Sequence, residues 1–329
     1  MAVDSDKETA THDESLSADP GSNSGRITGI LPLIHIKHFF FGNALYSIPF
    51  FDAGGTLADD KDACGALVAE ALAICKRVGA HHLELRHTHE SGIVDGTFQD
   101  IAAQGYHITN LHHKVRMLLP LSAASDELMK GFKSKLRSQI RKPVKEGLKA
   151  KVGGVELLDD FYRVFTVNMR DLGSPVHSKR FIKKTIEQFA DTARIIIVLQ
   201  GGCPLACGIV IGFRDVLCNP WASALRAFSR LSPNMLLYWT MLSYACDSGY
   251  KVFDFGRSSP GSGTYKFKQQ WGATPHQLQW QQLSQTETSS ALEPSSQNET
   301  FNTAIKMWQK LPVPIATTIG PKIRKYIGL

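Results

Sequence analysis

The second half of the chain holds the stretch that decides the fold, ARIIIVLQGGCPLACGIVIGF at residues 193–213. Two apolar runs rich in isoleucine and valine, 193–199 and 205–213, have the composition of buried strands. Between them, QGGCP at 200–204 is typical of the tight turn of a β-hairpin. A third strand is predicted over 218–227, so this half should contain an antiparallel sheet.

A helix is predicted after the third strand, because Ser232 and Pro233 are residue types preferred at the N-cap and at the first helical position. Gly249 is expected to end this helix. The later elements are predicted in the order strand 252–256, glycine-rich loop 258–263, helix 264–271 and strand 278–281. This order of elements resembles that of acyltransferases of the GNAT type.

The first half also alternates between strands and helices. SIPFFDAGG at 47–55 places two glycines after a strand-like run, where the chain must turn or let a ligand approach its backbone. Apolar residues at helical spacing predict a helix over 59–78, and HLELR at 82–86 alternates like a strand. Further elements are predicted as strand 114–120 and helices 125–140, 157–172 and 178–190.

Composition indicates a folded protein with an anionic partner. The 329 residues suggest two domains, and 43% hydrophobic residues are enough for packed cores. The net charge is +7, but residues 1–25 hold six acids and one lysine, which leaves 36 bases and 24 acids, or +12, for the remainder. This charge favours a phosphate-bearing cofactor, RNA, an acidic glycan or an acidic membrane face, and it disfavours an acidic protein ligand.

Three segments differ in composition from the rest. Residues 1–26 are acidic and nearly free of large apolar side chains, which predicts a disordered tail. Residues 282–300 have three acids, no base and many hydroxyl side chains, as linkers do. Residues 301–329 carry five bases and no acid, so this tail is expected either to dock on the protein or to rest as a peripheral contact on an anionic membrane.

The six cysteines form no C-x-x-C pair, so reduced thiols are predicted rather than a zinc or redox site, and no metal site is expected. The polar, acidic amino terminus is unlike a signal peptide, and no run approaches the ~18 apolar residues of a spanning helix. The sequence therefore predicts a cytoplasmic protein. Between Lys130 and Lys151, nine bases stand against Glu146 alone, which indicates either a solvated helix face or a track for phosphate or RNA.

Two places could carry chemistry. The N–H groups and dipole of the helix starting at Pro233 favour phosphate, which makes Arg230, Ser232 and Asn234 candidates for binding a donor, with ordinary capping as the alternative. Tyr265 and Lys268 are three apart on a predicted helix and share a face. There they can protonate a leaving group and stabilise negative charge, unless the tyrosine is core and the lysine solvated.

Residues 252–281, VFDFGRSSPGSGTYKFKQQWGATPHQLQWQ, resemble the closing segment of FemAB-type transferases, a family that includes the aminoacyl-tRNA-dependent enzymes building peptidoglycan bridges. They are most similar to the branch associated with exosortase/PEP-CTERM and exopolysaccharide loci. The resemblance spans roughly 28–281. It also rests on SIPFFDAGG at 47–55, KLRSQIRK at 135–142, NMRDLGSP at 168–175 and NPWAS at 219–223, with WQKLP at 308–312 typical of the branch.

This resemblance implies a mixed α+β fold of two tandem GNAT-like domains, at 27–150 and 151–281, and transfer of an acyl or aminoacyl group to an amine. It places the family's functional Phe-Lys pair at Phe267 and Lys268, with the lysine contacting donor phosphate or the forming intermediate. The chain lacks a long coiled-coil insertion, and residues 230–234 lack the Arg-x-x-Gly-x-Gly/Ala loop of coenzyme A binding. An acyl-coenzyme A and an aminoacyl-tRNA therefore both stay open as co-substrate, with no tightly bound cofactor.

The acceptor is expected to be an amine-bearing precursor of the cell envelope or of a polysaccharide. Its cleft should be lined by the loops at 47–55 and 168–175. The candidate substrate-binding residues are Asp52, Gly54, Gly55, Arg170 and Trp221. Either Asp254 or a water chain is expected to accept the amine proton; the alternative role of Asp254 is to hold Arg257, a further candidate for donor binding. The rival interpretation is a non-catalytic module that binds tRNA or an acidic glycan through the basic run at 130–151.

Overall fold

Two large β-sheets with helices on their faces organise the computed structural model, which describes residues 26–39, 41–88, 91–286 and 299–328. The strands are β1 (Gly29–Ile30), β2 (Ile34–His38), β3 (Gly42–Tyr46), β4 (Leu57–Ala58), β5 (His82–His87), β6 (His107–Leu111), β7 (Val115–Pro120), β8 (Lys149–Gly153), β9 (Ala193–Gln200), β10 (Cys203–Phe213), β11 (Val216–Ala224), β12 (Val252–Ser258), β13 (Thr274–Gln277) and β14 (Gln279–Ser284). The α-helices are α1 (Lys61–Val78), α2 (Gly92–Ala103), α3 (Ser125–Gly131), α4 (Ser134–Lys145), α5 (Leu158–Asp171), α6 (Lys179–Gln188), α7 (Pro233–Asp247), α8 (Gly263–Gln269), α9 (Glu299–Gln309) and α10 (Val313–Arg324).

The larger sheet has seven strands in the order β13-β7-β12-β11-β10-β9-β8. β9 and β10 form the predicted antiparallel hairpin, with Gly201 and Gly202 at positive φ in its turn, and β11 is the predicted third strand. Helices α3, α4 and α7 pack on one face of the sheet, and α5 and α6 pack on the other. Because both faces are covered, β9 and β10 are nearly continuous apolar runs.

The smaller sheet has five strands in the order β2-β3-β5-β14-β6, with α1 and α2 packed on it. The helix predicted over 59–78 is α1. The carboxylate of Asp60 caps its first turn by accepting from the N–H of Ala63 at 2.8 Å, and Gly79 ends it with φ 64°. Asp59 therefore lies outside this helix, and the rest of the prediction is confirmed.

The two sheets exchange strands. β7, from the first half of the chain, lies between β12 and β13, and β14, from the second half, lies between β5 and β6. The boundary expected between residues 150 and 151 falls inside β8, which pairs with β9. The ranges 27–150 and 151–281 therefore do not separate the two sheets, because strand pairing crosses that division in both directions.

Two local predictions differ from the structure. The single helix predicted over 125–140 is two helices, because Phe132 takes extended backbone and buries its ring against Trp239 and Trp271. Ser232 stands at the N-cap of α7 as expected, but its backbone is left-handed at φ 56° and its side chain makes no capping hydrogen bond.

The carboxyl-terminal segment docks on the protein over its described residues, 299–328. Helices α9 and α10 contact α5, and Arg170 Nη1 donates to the carbonyl of Leu311 at 2.9 Å. Arg86 Nη2 donates to the carbonyl of Gly328 at 2.7 Å. Docking is thus confirmed as the better of the two interpretations of this tail.

Some composition-based predictions fall partly or wholly outside the described residues. These are the acidic tail at 1–26, apart from Arg26, and the part of the 282–300 linker at 287–298. Residues 282–284 belong to β14 rather than to a linker. Over the described ranges, no helix has the length and hydropathy needed to cross a membrane, and no cluster of three or more metal-ligating side chains forms.

Candidate active site

A gap opens in the seven-stranded sheet where β11 and β12 separate. These parallel strands pair only over Val216–Cys218 and Val252–Asp254. Beyond that point β11 bulges at Asn219 and Pro220, and the Asn219 amide donates to two carbonyls of the sheet, at 2.7 and 2.9 Å. β12 bulges as well, between Asp254 and Arg257. The two bulges hold the strands apart in the second half of each strand.

Three side chains complete the hydrogen bonding of the β12 bulge. The carboxylate of Asp254 accepts from the N–H of Gly256 at 2.8 Å, and that of Asp52 accepts from the N–H of Arg257 at 3.0 Å. The ammonium of Lys268 donates to the carbonyls of Gly256 and Arg257 at 3.1 and 2.8 Å. Side chains from both halves of the chain thus replace the missing strand partner, as buried backbone groups require.

Two ion pairs flank these bonds. Arg116 Nε lies 2.6 Å from Asp254 Oδ2, and Arg257 Nη1 lies 3.2 Å from Asp52 Oδ1. The expectation that Asp254 holds Arg257 is therefore wrong: the carboxylate holds Arg116, on the neighbouring strand β7, and Arg257 is held by Asp52. The reason is the strand exchange, which brings Arg116 opposite Arg257 in the register of β7 and β12.

The surroundings of the gap shift the pKa values of Asp254 and Lys268. Burial raises the pKa of the Asp254 carboxyl, although Arg116 opposes that shift. Burial lowers the pKa of the Lys268 ammonium to about 8, although Asp52 and Asp254 oppose it. A carboxyl with a raised pKa and an ammonium with a lowered pKa are suited to accept and to donate a proton near neutral pH.

The loop that delivers Asp52 has strained backbone. Ile48 and Phe50 have positive φ, at 51° and 76°, which is unusual for bulky side chains and most unusual for a β-branched one. Trp280 Nε1 donates to the carbonyl of Asp52 at 3.0 Å and fixes the end of this strained stretch. Strain of this kind persists where the surroundings enforce it and is concentrated at functional sites.

Gly54 and Gly55 complete the same loop through close packing. The N–H of Gly54 donates to the carbonyl of Arg86 at 2.7 Å, and a Cβ on Gly54 would lie 2.8 Å from the carbonyl oxygen of Ser47. Gly55 has φ 98°, and a Cβ there would lie 2.6 Å from the ring of His87. At both positions the neighbouring atoms leave no room for a side chain. The close packing of the two glycines therefore holds in place the loop that carries Asp52.

An aromatic cluster lies beside the gap. Trp221, on β11, contacts Phe51, His177 and Phe181, with ring centres 5.6 to 6.1 Å apart. Trp221 is buried, so it forms a wall of the site rather than an exposed contact surface. Arg170, predicted in the loop at 168–175, lies instead in the last turn of α5, where it pairs with Asp171 at 2.7 Å and holds the carboxyl-terminal segment.

The predicted donor loop lies before α7. Residues 226–231 form a 3-10 helix, Arg230 is exposed, and its carbonyl accepts from Lys142 Nζ on α4 at 2.7 Å. Asn234 is half-buried in the first turn of α7. The basic helix α4 and the donor loop are therefore neighbours, a proximity that the sequence did not show.

The remaining predicted residues lie on α8. Phe267 is partly buried and packs against the core on Tyr238 and Trp271, with ring centres 5.0 and 6.2 Å away. Tyr265 packs partly against the same core, and its hydroxyl accepts from Gln269 Nε2 at 3.3 Å. Of the pair Tyr265 and Lys268, only the lysine has a bond to the β12 bulge.

The structure adds four residues that sequence reasoning missed. They are Arg86, Arg116, His177 and Arg324. Arg86 and Arg116 stand in strands that were predicted, but they also contact Phe51, Gly328 and Asp254, which come from distant segments. The one signal for them in the sequence was general: outside residues 1–25, bases outnumber acids, so some cations must lack an acidic partner.

Residues 131–269 match the acetyltransferase (GNAT) domain. The match contains the gap between β11 and β12, the loop before α7 and Lys268. Among solved structures, FemX is similar with TM-score 0.60 and 15% identity over 79% of this chain and 86% of that chain. L-PGS from Bacillus licheniformis is similar with TM-score 0.55 and 12% identity over 86% and 87% of the two chains.

A tandem GNAT protein from the clavulanic acid biosynthesis pathway is similar with TM-score 0.50 and 13% identity over 82% of each chain. At such identities, the likeness establishes the fold alone. A search of curated protein sequences finds no match. The mixed α+β fold with two tandem GNAT-like domains is therefore confirmed, as is the structural similarity to FemX.

Proposed function

We propose that the protein is an acyltransferase that moves an acyl or aminoacyl group from an activated donor to an amine acceptor at the gap between β11 and β12. The observation that carries this proposal is the charged cluster of Asp52, Asp254 and Lys268 at an interrupted sheet within the matched GNAT domain. The cluster contains a carboxyl of raised pKa and an ammonium of lowered pKa, a combination typical of sites that transfer protons.

The donor is proposed to span from the gap to the loop before α7. Arg230, Ser232 and Asn234 surround the start of α7, where helix N–H groups favour phosphate. Lys142 adds an exposed cation from α4 to the same place. A coenzyme A ester and an aminoacyl-tRNA both carry phosphate at a distance from the acyl carbon, so both suit this arrangement.

The chemistry follows from the positions of the acid and the base. The acceptor amine attacks the acyl carbon, a C–N bond forms, and the bond to the donor sulfur or oxygen breaks. Asp254, directly or through water, takes the amine proton. Lys268 uses two of its three N–H groups on the β12 carbonyls, and its lowered pKa makes the third a better proton donor to the leaving group than an exposed lysine offers.

The acceptor side is proposed to be formed by the loop at 47–55 and the wall around Trp221. Resemblance to the exosortase/PEP-CTERM branch supports an acceptor from cell-envelope or exopolysaccharide synthesis. FemX and L-PGS share the fold of this chain. Contact with a membrane through 301–329 would have to use the outer side of α9 and α10, since their inner side packs on α5.

Replacement of Lys268 tests this proposal. Lys268→Met removes the ammonium while keeping most of the side-chain length, and Lys266→Met, on the exposed side of the same helix, is the matched control. Turnover of acyl-coenzyme A and of charged tRNA, with a panel of amines, is expected to fall at least about 100-fold in Lys268→Met only. Unchanged turnover in a folded Lys268→Met protein would contradict the assignment.

The donor is identified by thermal stability, because a ligand that binds only the folded protein raises its melting temperature. Acetyl-coenzyme A, a longer acyl-coenzyme A, charged tRNA and uncharged tRNA are compared with wild type and Arg230→Gln. A shift with coenzyme A esters that weakens in Arg230→Gln indicates a thioester donor. A shift with charged tRNA alone indicates an aminoacyl donor.

A second candidate function is polyanion binding, and it has its own supporting observation. Of the nine bases between Lys130 and Lys151, all except Arg137 are exposed, and none forms an ion pair with a described residue. Binding through such a surface releases counterions, so the affinity for tRNA should fall steeply between 50 and 200 mM salt, by a factor on the order of 10³ or more. An affinity for tRNA that changes little over this range argues against this function.

A further inference from the structure

The hairpin of β2 and β3 carries exposed aromatic side chains at its turn. β2 is the edge strand of the five-stranded sheet, and the chain turns from β2 to β3 through HFFFG at residues 38–42. Phe39 is 93% exposed and Phe41 is 40% exposed. Large apolar side chains that lie together at a protein surface mark sites of interaction. This turn is therefore a candidate for contact with a partner.

The docked carboxyl-terminal segment extends this surface. The ring centre of His38 lies 4.5 Å from that of Tyr326, which follows the end of α10, and 4.9 Å from that of Phe41. Arg324 Nε donates to His177 Nε2 at 3.2 Å and fixes the last turn of α10 on the protein. The hairpin turn and the end of α10 thus form one surface, the aromatic tip, which consists of Phe39, Phe41 and Tyr326.

Three exposed lysines flank the aromatic tip. Lys37 precedes it on β2, Lys322 lies in the last turn of α10, and Lys325 follows that turn. The ammonium of Lys325 lies 4.7 Å from the ring centre of Tyr326. None of these lysines forms an ion pair with a described residue. Their positive charges are therefore available to an anionic partner.

Exposed rings flanked by lysines favour a lipid surface over a protein as the partner. Protein interfaces are enriched in aromatic residues but depleted in lysine. At the boundary between lipid and water, aromatic rings enter the headgroup region, and lysines beside them are attracted to anionic headgroups. The two segments that form the aromatic tip lie within 27–51 and 301–329, which contain no acidic residue that would repel such headgroups.

We infer that the aromatic tip is a docking surface for an anionic lipid bilayer, in which Phe39 enters the headgroup layer and the flanking lysines contact anionic headgroups. A few rings and lysines give reversible binding rather than permanent anchoring. The contact is assigned to the hairpin turn, and only the end of α10 takes part in it. This inference goes beyond the proposed function, because it concerns where the protein is held and not which group it transfers.

Flotation with vesicles tests the aromatic tip. The full chain is mixed with vesicles of phosphatidylglycerol and phosphatidylcholine, or with vesicles of phosphatidylcholine alone. Phe39→Ser removes the most exposed ring of the tip, and the matched control, Phe213→Ser, removes a ring that is 73% exposed at the end of β10. We expect wild type to bind the anionic vesicles, Phe39→Ser to bind them at least about ten-fold more weakly, and Phe213→Ser to bind like wild type.

Two double variants separate the lysines of this surface from the net charge of the protein. Lys37→Gln with Lys325→Gln removes two charges beside the aromatic tip, whereas Lys145→Gln with Lys149→Gln removes two exposed charges of the basic run at 130–151. The first double variant is expected to lose about 30-fold in affinity for the anionic vesicles, and the second should lose clearly less. Equal losses would mean that binding follows net charge rather than this surface, which overturns the inference.

Fluorescence reports insertion directly. Phe39→Trp should shift its emission to shorter wavelength when anionic vesicles are added, because the indole leaves water, and Phe213→Trp should show no shift beyond that of wild type. Binding of Phe39→Ser equal to that of wild type, or no shift in Phe39→Trp, overturns the inference. Light scattering supplies a further test: self-association of wild type that Phe39→Ser abolishes, with vesicle binding unchanged, would make the aromatic tip an interface between two copies of this chain and would also overturn it.

Discussion

Each large sheet contains one pair of parallel strands that separates after three residues, and the two gaps are filled differently. In the five-stranded sheet, β3 and β5 pair over Ala44–Tyr46 and His82–Glu84. The chain then closes this gap itself: the N–H of Ser47 donates to the carbonyl of Glu84 at 2.9 Å. In the seven-stranded sheet, the corresponding gap between β11 and β12 is filled by charged side chains.

Exposure distinguishes the two gaps most clearly. The side chains of Arg86 and Glu84, in the first gap, are 0% and 6% exposed, and Arg86 also donates to the carbonyls of Phe51 and Gly328. Arg257 and Asp52, in the second gap, are 27% and 26% exposed. One gap is therefore a closed structural joint, and the other keeps its charges within reach of a ligand.

The largest expected effect is on stability at the closed gap. Arg86→Leu leaves the buried carboxylate of Glu84 without its ion-pair partner, which should lower the free energy of unfolding by about 3–5 kcal/mol. Arg257→Leu breaks a pair that is partly exposed to solvent, and the expected loss is about 1 kcal/mol or less. Urea unfolding followed by circular dichroism measures both.

If Arg86→Leu and Arg257→Leu lowered the free energy of unfolding equally, the contrast between the two gaps would be wrong, because both would then be structural joints. A double variant, Glu84→Gln with Arg86→Leu, is the control for the cause of the larger loss. It should recover part of the stability, because the unpaired charge is removed.

A smaller effect is expected at one glycine in each gap. Ala at Gly55 must adopt φ 98° with its Cβ 2.6 Å from the His87 ring, so Gly55→Ala should cost about 2–3 kcal/mol. At Gly256 the φ of 71° is also unfavourable, but the nearest atom, Asp52 Oδ2, would be 3.4 Å away, so Gly256→Ala should cost about 1 kcal/mol. Thermal unfolding compares the two, and a larger loss at Gly256 would mean that the open gap is the more tightly packed.

An effect smaller than those expected at Arg86 and Gly55 is a pH dependence beside the open gap. Burial, with Arg324 nearby, lowers the pKa of His177 to about 3 in the folded protein, against 6.5 for the ordinary side chain. The unfolded chain therefore binds a proton that the folded protein does not, and stability falls as the pH drops below 6.5. Between pH 7.5 and 5.5 the expected contribution is about 1.4 kcal/mol.

His177→Gln isolates this contribution, because glutamine can still accept from Arg324 and does not titrate. The difference in unfolding free energy between wild type and His177→Gln should shrink in magnitude or change sign as the pH falls. A difference that is constant from pH 7.5 to 5.5 would show that His177 takes up no proton on unfolding in this range.

Local patterns in the sequence were sufficient to predict most of the helices and strands. The hairpin at 193–213 followed from two apolar runs around a glycine turn, and α1 followed from helical spacing that ends at Gly79. The helix predicted over 125–140 failed at Phe132, because burial of this ring against Trp239 and Trp271 is a tertiary effect with no local signal.

The candidate site was recovered in part for the same reason. Asp52, Arg257 and Lys268 were singled out, and the structure brings all three to the β12 bulge. Arg116 and Arg324 were missed, since each owes its place to contacts with residues more than 100 positions away. No periodicity or motif records such pairings, and only the resemblance to a known family suggested that the two halves act together.

The strand exchange between the sheets bears on how the protein is made. During synthesis, amino-terminal domains commonly fold before the rest of the chain emerges. Here the first sheet cannot be completed early, because β14, its strand between β5 and β6, ends at Ser284. The first sheet therefore stays incomplete until the chain has been translated through Ser284, and the two halves reach their final form together.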